Sequence, residues 1–182
     1  MGSQKNQRFF SGCLKGIGLI SNLKFIVDNN VGKLAKWLRM MGYDTLFFDG
    51  EDDWQMVKMA LDEGRVILTR DTQIMRRWVV TSGRLKAILI KSEEPEQQVR
   101  QVVETLNLDC QSRLFTLCLE CNHLLEERSK QQVKDLVPPY VFQTQSQYME
   151  CPACHRIYWR GTHWQAMTKK LEKFIKDPAG EI

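Results

Sequence analysis

Arg65-Val66-Ile67-Leu68-Thr69-Arg70-Asp71 follows Gly64 and leads into a helical pattern. Its apolar run is too short for a helix and reads as a strand buried on both faces, as in parallel sheets. In such sheets, ligands and chemistry gather beyond the carboxyl ends of the strands. Asp71 stands at that end.

The same unit recurs on either side. Leu23-Lys24-Phe25-Ile26-Val27-Asp28 reads as a strand, with Asn29-Asn30 as turn and cap. Val31, Leu34, Ala35, Leu38 and Met41 then share one helical face, with Lys33, Lys36 and Arg39 on others. Gly42 supplies the stop. Thr45-Leu46-Phe47-Phe48 is a second strand, and Glu51-Asp52-Asp53 opens a helix whose apolar face is Met56, Val57, Ala60 and Leu61. After the opening strand, residues 72–80 predict a helix with Ile74, Met75 and Trp78 inward. Lys86-Ala87-Ile88-Leu89-Ile90 is a fourth strand, and a helix runs from Ser92 to about Asn107. Strand and helix alternating four times predict βαβ units, hence a parallel sheet with helices on both faces.

The periodicity fades near Asp109. Residues 114–160 hold short β-type fragments, Pro138-Pro139 and two Cys-x-x-Cys pairs, and are poor in aliphatic residues. They predict a second, small domain. A last helix, at about 163–176, aligns Met167, Leu171, Phe174 and Ile175. The expected division is an extension over 1–22, an α/β domain over 23–112, and a ribbon with its terminal helix over 113–182.

At 182 residues, 43% hydrophobic and 26% charged, the chain has an ordinary globular composition. Its apolar runs are too short to span a bilayer. Residues 9–20, broken by Lys15 and three glycines, make a poor signal peptide, so a cytoplasmic location is expected. The net charge of +4 divides evenly between residues 1–112 and 113–182, so a polyanion site has to be local. Cys118-x-x-Cys121 and Cys151-x-x-Cys154 offer four thiolates, the number a closed structural zinc site uses. The 29 intervening residues exceed the usual spacing of about 15–20. Cys151-Pro152-Ala153-Cys154 has the composition of a metal knuckle, and Asn122 tolerates the left-handed backbone such a knuckle needs. Redox dithiols, or His123 or His155 replacing one cysteine, are the alternatives. Cys13 and Cys110 read as buried thiols.

Asp28, the Asp49-to-Asp53 cluster and Asp71 all follow expected strands, so a parallel sheet delivers them to one edge. Each alone suits a helix cap. Together they repel one another, and a divalent cation removes that conflict. Oxygen ligands without histidine favour Mg²⁺ or Mn²⁺, which can activate water against a phosphodiester.

Asp28-Asn29-Asn30-Val31-Gly32-Lys33-Leu34-Ala35-Lys36-Trp37-Leu38-Arg39-Met40-Met41-Gly42-Tyr43-Asp44-Thr45 resembles the signature of the Mut-seven C-terminal RNase domains. The likeness continues through Asp53, the opening stretch, the cysteine pairs and Tyr158-Trp159-Arg160-Gly161-Thr162-His163-Trp164. It implies a PilT N-terminus (PIN)-like three-layer fold, a zinc ribbon, and an acidic Mg²⁺- or Mn²⁺-dependent site acting on RNA. Carried over by position, Asp28 and Asp71 are metal ligands and Asp53 is the third, with Asp49 and Asp52 as competing registers. A fourth acid, usual in PIN-type nucleases after the fourth strand, has only Glu93 and Glu94 as candidates.

Arg70, Arg76 and Arg77 offer bidentate phosphate contacts beside Asp71, and Arg39 offers either such a contact or a carboxylate pair. Trp37 reads equally as core or as a base contact. Arg156, Tyr158, Trp159, Arg160, His163 and Trp164 interleave basic and aromatic groups, which suits stacking on single-stranded bases or packing of the ribbon. The expected function is a metal-dependent ribonuclease on single-stranded RNA. The alternative is a module that binds RNA or a partner on the same fold without the chemistry.

Overall fold

The structure is a computed structural model that describes residues 23–176. The expected extension over 1–22 with Cys13, and the side chain of Ile175, lie outside the described residues.

β1 (Lys24–Val27) runs through a 3-10 turn (Asn29–Val31) into α1 (Gly32–Met40), followed by β2 (Thr45–Phe47) and α2 (Asp53–Glu63). β3 (Arg65–Thr69) leads to two short helices, α3 (Thr72–Arg76) and α4 (Trp78–Thr81), then β4 (Ala87–Leu89) and α5 (Pro95–Leu106). The four strands form one parallel sheet in the order β2-β1-β3-β4. β3 is buried at all five positions, as its apolar run predicts for a strand flanked on both sides.

Alternate side chains of β1 and β3 enter different cores. Phe25, Val27, Val66 and Leu68 pack against Leu34, Leu38, Val99 and Val102 of α1 and α5. Ile26 and Ile67 pack on the other side with Met56, Val57 and Ala60 of α2 and Ile74 of α3. Layers of helix, sheet and helix follow from that two-residue alternation. Gly42 and Gly64 both close their helices with left-handed backbone, at φ 84° and 63°. At Gly42 a side chain is also excluded by contact, since a Cβ would stand 2.5 Å from Arg113.

Four expectations change. The helix over 72–80 is broken at Arg77, whose ψ of 136° is extended, and Trp78 turns outward at 67% exposure. The break is confined to Arg77, and Trp78-Val79-Val80-Thr81 resumes as α4. The helix expected from Ser92 begins at Pro95, because the residue before a proline avoids helical backbone; Glu94 has ψ 120°. Leu61 is 40% exposed, outside the face of α2 that the core covers. Arg39, expected on a polar face, is buried.

The ribbon is a three-stranded antiparallel sheet, β5 (Glu126–Arg128), β6 (Tyr148–Glu150) and β7 (Ile157–Trp159), in that order. Between β5 and β6 lie a 3-10 turn (Lys130–Val133) and α6 (Pro139–Thr144), helical pieces the sequence pattern did not indicate. Val133, Val137, Val141 and Tyr148 form its small core. α7 (Thr162–Lys176) returns to the first sheet, burying Leu171 and Phe174 in the α1/α5 core. Trp37 packs there too, its ring 5.0 Å from Phe174. Cys110 is buried, and burial pushes its thiol up to about 11.

Candidate acidic site and cysteine cluster

The carboxyl ends of β1 and β3 lie side by side, because Val27 pairs with Leu68. Asp28 is the residue after one strand, and Thr69 ends the other. The buried Thr69 hydroxyl donates to Asp28 Oδ2 and accepts the Asp71 N–H at 2.8 Å. A single hydroxyl thus ties both acids to the central strand. Asp28 Oδ1 accepts from Asn30 N–H at 2.9 Å and Asp71 Oδ1 from Gln73 N–H at 2.7 Å. Both are helix caps, yet each carboxylate oxygen carries two lone pairs, so capping and holding a cation are compatible.

Asp52 caps α2, accepting from Trp54 N–H at 2.8 Å. Asp53 is the first helical residue, and its Oδ2 stands 3.6 Å from Arg77 Nη2. Asp49 is exposed. Beyond β4, Glu93 Oε1 accepts from Arg70 Nη2 at 2.7 Å, which brings Glu93 to the residue beside Asp71. Arg76 is exposed. The structure therefore joins Asp28 to Asp71 through Thr69, Asp53 to Arg77, and Arg70 to Glu93. The acids offer oxygen alone at the carboxyl ends of the strands, a donor chemistry that suits a hard cation such as Mg²⁺ or Mn²⁺ better than zinc, but among the described residues they are not drawn into one group of ligating atoms.

Among the described residues, Cys118, Cys121, Cys151 and Cys154 form the one group of three or more ligating side chains drawn together, their sulfurs within 4.8 Å of one another. Four sulfurs about 2.3 Å from a tetrahedral ion would stand about 3.8 Å apart, so the donor set fits zinc. The pairs Cys118–Cys154 and Cys121–Cys151 approach to 3.6 and 3.3 Å. The two knuckles have the same backbone. Cys118 N–H donates to His123 O and Cys151 N–H to Arg156 O, while Asn122 and His155 take φ of 67° and 56°. Burial pushes the Cys118 thiol up, but hydrogen bonds from Tyr158 and the backbone outweigh it and lower it to about 6. Burial and the neighbouring sulfurs push Cys121 up to about 12. A dication held by the four sulfurs would let them ionise together. The histidines turn elsewhere: His123 Nδ1 lies 3.0 Å from Cys121 O, and His155 Nδ1 lies 2.9 Å from Glu150 Oε1.

The knuckle sits at the other end of the sheet from the acids. Asn122 Oδ1 accepts the Thr45 N–H at 2.9 Å and its Nδ2 donates to Asp44 Oδ1 at 2.6 Å. Arg65, the first residue of β3, donates to both Asp44 oxygens at 2.8 and 3.2 Å. Arg39 completes the joint, donating to the carbonyls of Thr45, Leu119 and Glu120 at 2.9, 2.9 and 2.7 Å. Its guanidinium is turned from phosphate recognition to bracing the ribbon. The Leu119 and Glu120 carbonyls lie 80 and 81 positions away in sequence, so no local pattern could have found them.

A groove of about 760 Å³ lies between β7, α6 and the start of α7. Arg160 and Trp164 both line it, with the guanidinium 5.2 Å from the indole centroid, and Trp164 packs 5.4 Å from Phe115. Trp159 packs on the ribbon core. The tryptophans of this segment are thus packing residues in part.

A family model described as the Mut7-C RNAse domain matches residues 23–171. No curated protein and no solved structure matches the chain. Among the described residues, no helix is long and apolar enough to cross a membrane.

Proposed function

The chain belongs to the Mut7-C RNAse domain family, and we propose that it is a cytoplasmic ribonuclease cutting single-stranded RNA at the carboxyl edge of its parallel sheet. The observation that carries this reading is the link from Asp28 through Thr69 to Asp71. In it, Asp28, Asp53 and Asp71 hold Mg²⁺ or Mn²⁺, and Arg70, Arg76 and Arg77 contact phosphate. The bound ion supplies a water of lowered pKa and neutralises charge on the phosphodiester. The chain's own part is positional. Thr69 and the Asn30 N–H fix the Asp28 carboxylate, Thr69 also holds the Asp71 backbone and the Gln73 N–H its carboxylate, and Arg77 orients Asp53. The cysteine cluster holds structural zinc and keeps the ribbon folded, far from the chemistry. In this reading residues 23–112 form the nuclease domain and 113–182 the ribbon with α7.

The experiment is Mn²⁺-dependent cleavage of single-stranded RNA, which is lost in Asp71→Asn. Equal degradation by wild type and variant would assign the activity to a contaminant. A second reading, a binding module without cleavage, draws support from the pairing of Asp53 with Arg77 and of Glu93 with Arg70, which neutralises two acids of the edge. RNA binding that survives Asp71→Asn, with no cleavage under any divalent cation, selects it.

A further inference from the structure

A single exposed ring is ordinary on a protein surface, whereas exposed rings grouped beside charged side chains mark an interaction site. Among the described residues, four large aromatic side chains are substantially exposed: Phe47 at 44%, Trp54 at 56%, Trp78 at 67% and Tyr140 at 72%. Two of these four stand at the carboxyl edge of the sheet, and a third is linked to it through its neighbour. Phe47 ends β2, Trp54 is the second residue of α2, and Trp78 opens α4 after β3 and α3.

The acidic groups tie the two tryptophans to the same place. Asp53, next to Trp54, reaches Arg77, next to Trp78, at 3.6 Å. The break at Arg77 turns the Trp78 ring outward, and Arg84 lies over it with its guanidinium carbon 5.3 Å from the centroid. Arg76, two residues before Trp78, is exposed. The result is two accessible indoles adjoining the Asp53–Arg77 pair, one of them carrying a cation. Unstacked bases recognise flat exposed rings, and the arginines complement the phosphates between them. Double-stranded RNA offers no free base faces to such rings.

We infer that Trp54 and Trp78 are stacking residues that hold the bases of single-stranded RNA on either side of the acidic edge. The inference rests on the proposed ribonuclease reading and supplies what the acids lack, a reason for preferring single strands. The notched helix at Arg77 is then the device that presents the second ring.

The test is fluorescence anisotropy with a labelled single-stranded RNA of about ten nucleotides. The chain is zinc-loaded, carries Asp71→Asn, and sees no added Mg²⁺ or Mn²⁺, so the probe stays intact. Trp54→Leu and Trp78→Leu, which keep apolar bulk without a ring, should each weaken binding roughly tenfold. Trp54→Phe and Trp78→Phe, which keep a ring, should stay close to the parent. Binding of a duplex of the same sequence should not change. The inference is overturned if the Leu variants bind single strands as tightly as the parent, if the parent binds none, or if duplex binding falls equally. Unchanged RNA binding would hand the exposed rings to a protein partner. The ribonuclease reading fails separately, when cleavage by the otherwise wild-type chain does not need Asp71.

Discussion

Removing one hydroxyl tests the acidic site more sharply than removing an acid. Thr69→Val preserves shape in a fully buried position and leaves Asp28, Asp53 and Asp71 in place. Two hydrogen bonds disappear, one donated to a carboxylate and one accepted from the Asp71 N–H. A bond to a charged group is worth about 1.5–3 kcal/mol and a neutral one about 0.5–1.5 kcal/mol. The added methyl returns roughly 1 kcal/mol through burial. The net cost is therefore about 1–3 kcal/mol, measurable in urea denaturation. The functional effect is larger in proportion, because residues that orient ligands typically cost about 10–100-fold in metal affinity or activity when changed. The Mn²⁺ concentration giving half-maximal cleavage should rise by that factor in Thr69→Val and hold near wild type in Thr69→Ser, which retains the hydroxyl. A Thr69→Val chain that is less stable but unchanged in Mn²⁺ dependence would refute the reasoning and leave Thr69 a packing residue.

Two further outcomes follow from the far end of the sheet. Cys118→Ser should abolish equimolar zinc by metal analysis and lower the thermal transition, since the knuckle carrying Asn122 and the carbonyls held by Arg39 is then unfastened; retained zinc with an unchanged transition would contradict the four-sulfur assignment. Burial pushes the Asp44 carboxyl up, but the hydrogen bonds from Arg65 and Asn122 outweigh it and hold the group below the usual carboxylate range. Its folded value lies below its unfolded one, so the stability it contributes is present above about pH 4 and drains as the pH falls through the depressed folded value. Asp44→Asn should cost stability at neutral pH and flatten the acid limb of a denaturation series; an acid limb as steep as wild type would count against the pairing.

Most of the sheet was legible because its strands are short apolar runs, several set off by a preceding glycine that closes a helix or by a following aspartate that caps one. Gly42 and Gly64 stop helices with the left-handed backbone expected of them, and Asn122 takes that backbone in its knuckle. The cap and the ligand readings of Asp28 and Asp71 looked like competitors in sequence. In the structure capping is visible for both, and it leaves lone pairs open. What escaped was whatever long-range contact decides. Arg39 falls between apolar positions on α1, but its burial depends on carbonyls of the distant ribbon. The outward turn of Trp78 depends on a break that no proline or glycine announces. α6 is a six-residue helix started by Pro139, too short for its periodicity to register.

The position of the acids owes little to the acids themselves. Asp28 and Asp71 repel each other, and half-exposed groups of like charge do not assemble a crevice unaided. Their placement follows from the pairing of β1 with β3, which brings Val27 opposite Leu68. That register is fixed by packing: a one-residue slip would drive Phe25 and Val27 from the α1/α5 core into the α2 side, and Ile26 the other way. The amino ends of β3 and of its neighbours are pinned independently, by Arg65 on Asp44 and on the Phe25 carbonyl of β1, and by Asn122 on Asp44 and Thr45 at the start of β2. β1 and β3 are four and five residues long, so the ribbon joint lies roughly 15 Å from the acids. It acts on them through strand register alone. The carboxyl edge is thus ordered by strand register and packing, and Thr69 carries that order to the Asp28 carboxylate and to the Asp71 backbone N–H.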